Sequence, residues 1–317
     1  MATAAYIVGA VRTAGGRNKG RLSGVHPADL GGSVLDALVQ RTGVDPAKID
    51  DVIFGCVGQN GAQAANVARN CVLSSSLPES VPATSVDRQC GSGQQAIHFG
   101  VQAVMSETQD LVIAGGVESM TRVPIGSNIV DGVKQGHGQP WDGPAIGKRY
   151  PGVKFSQFTG AEMLAKKHAL TREELDQFAY DSHVKAARAT KEGRFSREIV
   201  PVEVTLEDGS KAVHQVDEGI RFEPSLEKTR ALEPLAPGGL LTAASSSQIC
   251  DGAAAILIAN ERALKENKLT PRARFHTLTV VGDDPVIMLE GPIHATKKAL
   301  AREIGRASCR ERVYVLV

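Results

Sequence analysis

The segment Val86-Asp-Arg-Gln-Cys90-Gly-Ser-Gly93 combines residue types that could perform covalent catalysis. An apolar run typical of a strand precedes it and a helical pattern follows, so Cys90 is expected in the first turn of a helix. Unpaired backbone N–H groups and the positive end of the helix dipole would favour its thiolate there. A thiolate attacks carbonyl carbons, and Gly91 and Gly93 would let a substrate approach closely. The alternative is a buried structural cysteine beside a glycine turn.

The elements around this segment follow the alternating pattern of a layered α/β fold. The predicted strands are Tyr6 to Val11, Val52 to Val57, Ala83 to Val86, Leu111 to Ala114, Val200 to Leu206, Ala253 to Ala259 and Phe275 to Val281. The predicted helices are Pro27 to Arg41, Asn66 to Leu73, Ser92 to Ser106, Glu261 to Asn267 and Ala295 to Glu303, with another after the capping-box signature Thr171-Arg-Glu-Glu174.

The middle of the chain has a different character. Residues 121–158 are rich in Gly, Pro, Lys and Gln with little periodicity, and residues 199–240 are again irregular apart from short strands. We therefore interpret residues 119–249 as an insertion carried by the α/β frame. Loop-rich insertions on rigid scaffolds are common places for ligand contacts.

The overall composition excludes several classes of protein. The 317 residues carry 36 Lys and Arg against 35 Asp and Glu, a balance that argues against a nucleic-acid partner. A hydrophobic share of 42% is enough for a sizeable core. The longest apolar run, Ala253 to Ala259, is far shorter than the roughly 20 residues of a membrane-spanning helix, so no membrane insertion is expected. The five cysteines are scattered without a CxxC pair, so we expect no metal site and a reducing, cytoplasmic location.

Five separated blocks of the sequence resemble the thiolase family. In chain order they are YIVGAVRTAGGR, DRQCGSGQQAIHFG, AGGVESMTRVP, LTAASSSQICDGAAAILIA and VGDDPVIMLEGPIHATKKAL. The resemblance runs from about Tyr6 to Arg302. It implies two halves that build a five-layered α/β/α/β/α body, with a loop domain inserted in the first half that covers coenzyme A. The first half would be residues 1–118 plus 250–270, the loop domain 119–249, and the start of the second half 271–302.

The same resemblance implies transfer of an acyl group between coenzyme A thioesters. Members of the family cleave 3-ketoacyl-CoA through an acyl-cysteine intermediate, or run the reverse Claisen condensation, and Cys90 stands at the position of the acylated cysteine. Coenzyme A is then a substrate, alongside acyl-CoA, and no cofactor is tightly bound. Full-length members are usually homodimers or homotetramers.

Four binding residues also carry over from the resemblance. Ser247 would approach the pantetheine arm of coenzyme A, Arg221 would meet its adenosine end, and Met288 would lie near the acyl pocket. Gln157, with Ser156 before it, stands where short-chain members carry a pocket histidine. This difference favours an acyl group longer or bulkier than acetoacetyl, such as a fatty acyl group or a sterol side chain.

Some family features have no counterpart in this sequence. The second half of full-length thiolases carries an Asn-Glu-Ala-Phe block, a Gly-His-Pro block with the activating histidine and a Cys-x-Gly-Gly block with a proton-carrying cysteine. We interpret the chain as C-terminally truncated and residues 303–317, which include Cys309, as a sequence artefact. Cleavage and condensation by the chain as written are therefore expected to be impaired. His98 is interpreted as a packing or capping histidine.

Two other functions remain open at this point. A condensing enzyme of the ketoacyl-synthase type would share the fold and the acylated cysteine, but would depend on an acyl-carrier protein. A non-catalytic interaction protein that retains the fold is the second alternative, and its activities in the cell would survive the loss of the Cys90 thiol.

Overall fold

A computed structural model describes residues 3–303 of the chain. The predicted artefact at the C-terminus, with Cys309, falls outside the described residues apart from Glu303. The strands are β1 (Tyr6–Thr13), β2 (Gly16–Arg17), β3 (Asp51–Gly55), β4 (Ala83–Val86), β5 (Leu111–Ser119), β6 (Ile199–Val200), β7 (Val202–Thr205), β8 (Lys211–His214), β9 (Cys250–Ala259) and β10 (Ala273–Arg274). The helices are α1 (Pro27–Thr42), α2 (Val67–Leu73), α3 (Ser92–Met105), α4 (Ser127–Lys134), α5 (Pro144–Arg149), α6 (Gln157–Lys167), α7 (Arg172–Lys191), α8 (Leu226–Arg230), α9 (Glu261–Glu266) and α10 (Gly291–Glu303).

Within the described residues, eight strands form one mixed sheet. Its main path runs β10-β1-β9-β5-β3-β4, with β2 paired to β9 and β6 paired to β1. Strand β3 is parallel to both β4 and β5, whereas β9 runs antiparallel to its neighbours β1 and β5. Strands β7 and β8 form a separate antiparallel pair. The carboxyl ends of β3, β4 and β5 therefore meet at one edge of the sheet, and the turn that carries Cys90 leaves β4 at this edge.

Helices cover the sheet through apolar residues at helical spacing. In α1 the predicted stripe of Leu30, Val34 and Leu38 is buried, and Pro27 occupies the first turn, where its missing N–H costs little. Helix α3 lies so close to the sheet that a Cβ on Gly100 would come within 3.0 Å of the Ile258 side chain. The middle of α3 therefore packs closely against the strands.

The chain divides into two compact units. One contains the chain up to His137 with Ala189–Ile220 and Gln248–Phe275, and so holds the sheet. The other contains Gly138–Arg188, Arg221–Ser247 and the chain from His276. The thiolase resemblance implies a first half, an inserted domain from 119 to 249 and the start of a second half. This division stays a prediction.

An ionic network ties residues 198–217 to β1 within the first unit. The Arg12 guanidinium donates to Glu198 Oε1 at 2.7 Å and to Asp217 Oδ1, also at 2.7 Å. The Gly15 N–H donates to the same Asp217 oxygen. Desolvation raises the pKa of the Asp217 carboxyl. The hydrogen bonds from Arg12 and the Gly15 N–H and the charge of Arg12 outweigh this effect, so the pKa lies below its usual value.

Most predicted elements match, and the differences have physical causes. The predicted strand from Phe275 to Val281 is wrong: among the described residues only Ala273–Arg274 pairs there, with β1. Helices α4 and α5 occupy the stretch 121–158, which lacked clear periodicity in the sequence. The predicted capping box is confirmed, because the Thr171 N–H donates to Glu174 Oε2 and the Glu174 N–H donates to Thr171 Oγ1.

Candidate active site

Cys90 lies in a short turn between strand β4 and helix α3. The strand ends at Val86, the helix begins at Ser92, and Cys90 is exposed. The residue before it, Gln89, has a φ of 48°, in the left-handed region that residues other than glycine seldom adopt. Such a conformation persists only where the surroundings enforce it, and it is common in turns that present a reactive group.

Hydrogen bonds from two side chains enforce this turn. The Ser92 hydroxyl accepts from the Arg88 N–H at 2.8 Å and donates to the Gln89 carbonyl at 2.5 Å. The Asp87 carboxylate accepts from the Gln89 N–H at 2.7 Å, and the Gly91 N–H donates to the Arg88 carbonyl. Because Ser92 is buried, its hydroxyl holds the backbone on both sides of the strained residue without competition from water.

The start of α3 rests directly on strand β3. A Cβ on Gly55 would lie 2.2 Å from the Ser92 carbonyl carbon and 2.3 Å from the Gly93 nitrogen, so only glycine permits this approach. In contrast, a Cβ on Gly93 would meet its nearest neighbour, the Gly115 carbonyl oxygen, at an ordinary 3.7 Å. The height of the Cys90 turn above the sheet is therefore set by Gly55.

A half-buried carboxylate braces the loop that follows β3. Glu118, near the end of β5, accepts from the Val57 N–H at 2.7 Å, the Gly58 N–H at 3.0 Å and Gln63 Nε2 at 2.9 Å. Desolvation and the Glu118 carboxylate raise the pKa of the Cys56 thiol well above its usual range. Cys56 is therefore held as a neutral thiol.

The remaining thiols of the described residues differ from Cys90 in their surroundings. Cys71 is fully buried, and desolvation followed by the Asp29 charge raises its pKa to about 12. Cys250 is exposed as a residue, but desolvation of its thiol and the Asp251 carboxylate raise its pKa. Exposure in a helix-start turn thus distinguishes Cys90 as the candidate nucleophile.

His98 lies on α3 and is 8% exposed. Desolvation and the Arg88 charge lower the pKa of its imidazole. Its Nδ1 has no hydrogen-bond partner among residues 3–303. A buried neutral imidazole two helical turns from Cys90 fits the packing role expected from the sequence.

The four predicted binding residues all belong to the second unit. Arg221 is exposed, and its N–H donates to His183 Nδ1 at 3.2 Å. Ser247 is exposed on the loop before β9. Gln157 is the exposed first residue of α6, and Met288 is half-buried with a φ of 44°.

Backbone contacts bring together the segments that carry Gln157 and Met288. A Cβ on Gly160 of α6 would lie 2.6 Å from the Ile287 carbonyl oxygen and 3.1 Å from that of Val286. The first turns of α6, which carry Gln157, therefore touch the backbone immediately before Met288. The same helix braces the loop that leads to Ser247.

That brace is a carboxylate that the sequence did not single out. Glu162 Oε1 accepts from the N–H groups of Leu240 and Leu241 at 2.9 and 3.0 Å. The buried Thr242 then organises the serine-rich loop, because its carbonyl accepts from the Ser246 hydroxyl at 2.8 Å. The sequence also showed no sign of the roles of Glu118 and Ser92. Glu118 acts through long-range hydrogen bonds and Ser92 through local ones, and both are seen only in the folded chain.

The comparisons with known proteins decide the family. Residues 5–262 match the family model described as thiolase, N-terminal domain. The chain belongs to the thiolase family. The steroid 3-ketoacyl-CoA thiolase FadA6 of Mycobacterium tuberculosis is 49% identical over 299 residues, which cover 94% of this chain and 72% of that protein. The 3-ketoacyl-CoA thiolase of Pseudoalteromonas translucida is 41% identical over 300 residues, covering 93% of this chain and 74% of that protein.

A solved structure confirms the thiolase fold. The crystal structure of the Bacillus anthracis acetyl-CoA acetyltransferase superposes with a TM-score of 0.85 at 32% identity, over 97% of this chain and 78% of that one. This thiolase is accordingly an acyltransferase, and the predicted family and fold are confirmed. Among residues 3–303, no group of three or more His, Cys, Asp or Glu side chains is arranged to hold a metal ion. None of the helices described above combines the length and apolar character needed to cross a membrane.

Proposed function

We propose that this thiolase transfers acyl groups to and from coenzyme A through a thioester on Cys90, and that its substrates are 3-ketoacyl-CoA molecules. The observation that carries the proposal is the turn before α3. It presents an exposed cysteine at a helix start, in a turn fixed by Ser92 and Asp87. Backbone N–H groups at a helix start stabilise negative charge on the nucleophile and on the oxygen of the attacked carbonyl.

The reaction has two halves. In the first, the Cys90 thiolate attacks the 3-keto carbon and the bond between C2 and C3 breaks. The electron pair of that bond passes to C2, which takes up a proton, so acetyl-CoA leaves and the shortened acyl group stays on sulfur. In the second half, the thiol of another coenzyme A loses its proton and attacks the thioester. Acyl-CoA leaves and the Cys90 thiolate is restored.

The proposed substrate carries an acyl group longer or bulkier than acetoacetyl. Gln157 and Ser156 stand where short-chain thiolases carry a histidine, and Gln157 is exposed at the start of α6. A relative at 49% identity is named a steroid 3-ketoacyl-CoA thiolase. Met288 would contact the acyl group, and a fatty acyl or sterol side-chain substrate fits both observations.

Coenzyme A would contact the exposed Ser247 with its pantetheine arm and the exposed Arg221 with its adenosine end. Residues 119–249, which contain both, would form the domain that covers coenzyme A. Residues 1–118 and 250–270 would form the first thiolase half, and the second would begin near 271. We also propose a cytoplasmic location and assembly as a homodimer or homotetramer.

Thioester exchange tests the role of Cys90 without cleavage of a carbon–carbon bond. Incubation of the 317-residue chain with decanoyl-CoA is expected to form decanoyl-Cys90 and to release one free coenzyme A per adduct. The products are measured by intact mass and by thiol titration. The Cys90→Ala variant is the control and should release none. A folded wild-type sample that gains no acyl group contradicts the proposal.

The same assay separates the two alternatives. A ketoacyl-synthase-type enzyme would accept the acyl group from an acyl-carrier protein thioester in preference to the coenzyme A thioester. A non-catalytic interaction protein would show no exchange from either donor.

A further inference from the structure

We propose that Glu290 is a positioning residue for acyl-group selection, because its carboxylate bonds to Lys167 and His168 and so fixes the Met288 turn against helix α6. This inference rests on the proposed function of the Met288 pocket. Thiolase chemistry itself does not require it, since Glu290 touches none of the reacting atoms proposed above.

The Glu290 carboxylate is held by one partner on each oxygen. Lys167 Nζ lies 2.6 Å from Oε2 and His168 Nε2 lies 3.0 Å from Oε1. Glu290 is 6% exposed, and both partners come from the C-terminal end of α6. The Lys167 and His168 hydrogen bonds lower the pKa of Glu290, so the carboxylate is charged at neutral pH. Its main-chain carbonyl also accepts the Ile293 N–H at the start of α10.

The turn before Glu290 is strained. Met288 has a φ of 44°, and the Leu289 N–H donates to the Ile287 carbonyl at 2.6 Å, which closes a three-residue turn around Met288. Turns of this kind with a positive φ at the central residue are rare and unfavourable. They persist only when neighbouring contacts hold the backbone in place.

Two contacts with α6 hold this segment at both ends. Before the turn, the backbone of Ile287 touches α6 at Gly160, and after it Glu290 binds Lys167 at the helix end. Met288 therefore lies between two attachments of this segment to the same helix.

This attachment is relevant to the acyl group because α6 also begins with Gln157. The proposed pocket residues Gln157 and Met288 thus stand on segments that are held together by the Gly160 contact and by one buried carboxylate. If the carboxylate loses its charge, the strained turn is free to relax, and the room available to the acyl chain changes. The reacting sulfur is unaffected by this change.

The experiment compares exchange of two acyl donors, acetyl-CoA and decanoyl-CoA, by the 317-residue chain. In Glu290→Gln and Lys167→Gln, the ratio of the two Cys90 acylation rates is expected to change by about tenfold, because the expected shift is smaller than the 1 Å misplacement that costs about 100-fold. Lys166→Gln removes the same charge from the same turn of α6 and should leave the ratio unchanged. Lys167→Arg keeps the cation and should restore most of the wild-type ratio.

Hydrogen–deuterium exchange provides a second measurement, which reports on the Met288 turn even if a substitution also lowers the stability of the chain. Deuterium uptake of the peptide containing residues 284–290 should rise in Glu290→Gln and Lys167→Gln but not in Lys166→Gln. An unchanged rate ratio, or an unchanged uptake of this peptide, overturns the positioning role while Cys90 acylation by the wild-type chain stands. Failure of the wild-type chain to acylate with either donor instead overturns the proposed function, and this inference with it.

Discussion

Replacing Gly55 by alanine should slow acylation of Cys90 although the substituted residue lies on a neighbouring strand. The added Cβ would meet the carbonyl carbon of Ser92 at 2.2 Å and the nitrogen of Gly93 at 2.3 Å, whereas ordinary contacts begin near 3.4 Å. Both atoms are backbone atoms, so they cannot rotate away. The start of α3 must therefore rise by about 1 Å from the sheet, and a displacement of that size can reduce a rate by about 100-fold.

The assay is the rate of acyl-Cys90 formation from decanoyl-CoA, followed by intact mass. Overpacking should also lower the free energy of unfolding by about 1–3 kcal/mol, so circular dichroism must show that the variant is folded at the assay temperature. Gly24→Ala is the matched control, because nothing lies within 4 Å of its added Cβ. A folded Gly55→Ala variant that acylates at the wild-type rate would refute the claim that this strand sets the position of the sulfur.

Three further predictions concern the turn, the ionic network and the other thiols. Ser92→Ala removes two bonds from the strained turn and should slow acylation of Cys90 while costing about 1–2 kcal/mol in urea unfolding; an unchanged rate would show that the turn is held by other contacts. Asp217→Asn should lower the free energy of unfolding at pH 7 by about 1–3 kcal/mol, because the Arg12 interaction is lost. Since the folded-state pKa of Asp217 is lowered, this stabilisation is present above about pH 4 and is lost as the pH falls through the folded-state value; a difference between variant and wild type that does not shrink as the pH is lowered below about 4 would contradict the assignment. Iodoacetamide at about pH 8, near the ordinary thiol pKa, should label Cys90 and leave Cys56 unmodified in the folded chain, and peptide mapping that finds Cys56 labelled first would contradict the raised pKa.

The sequence alone was sufficient to predict the strand and the helix on either side of the nucleophile. Strand β4 has the predicted bounds Ala83 to Val86, and α3 begins at the predicted Ser92. An apolar run followed by a glycine-containing turn and a helical pattern is a local signal, so it can be read without knowledge of distant contacts. The thiolase blocks then gave the family and the fold.

Features that depend on distant partners could not be predicted in this way. Residues 275 to 281 are rich in β-branched types, but a strand needs a neighbour, and the pairing of β10 with β1 ends at Arg274. Glu290 and Lys167 are 123 residues apart, and nothing in either local sequence marks them as partners. The close approach of Gly55 to Gly93 is likewise a product of folding, since a glycine at a strand end is equally compatible with a turn or a bulge.

One covalent bond, between the Cys90 sulfur and an acyl carbon, is central to the proposed chemistry. After incubation with decanoyl-CoA, peptide mapping of the folded chain should find the decanoyl group on the peptide that contains Cys90, in an amount equal to the coenzyme A released. An acyl group found on Cys250 or another residue, or none on a folded chain, would contradict the proposed role of Cys90.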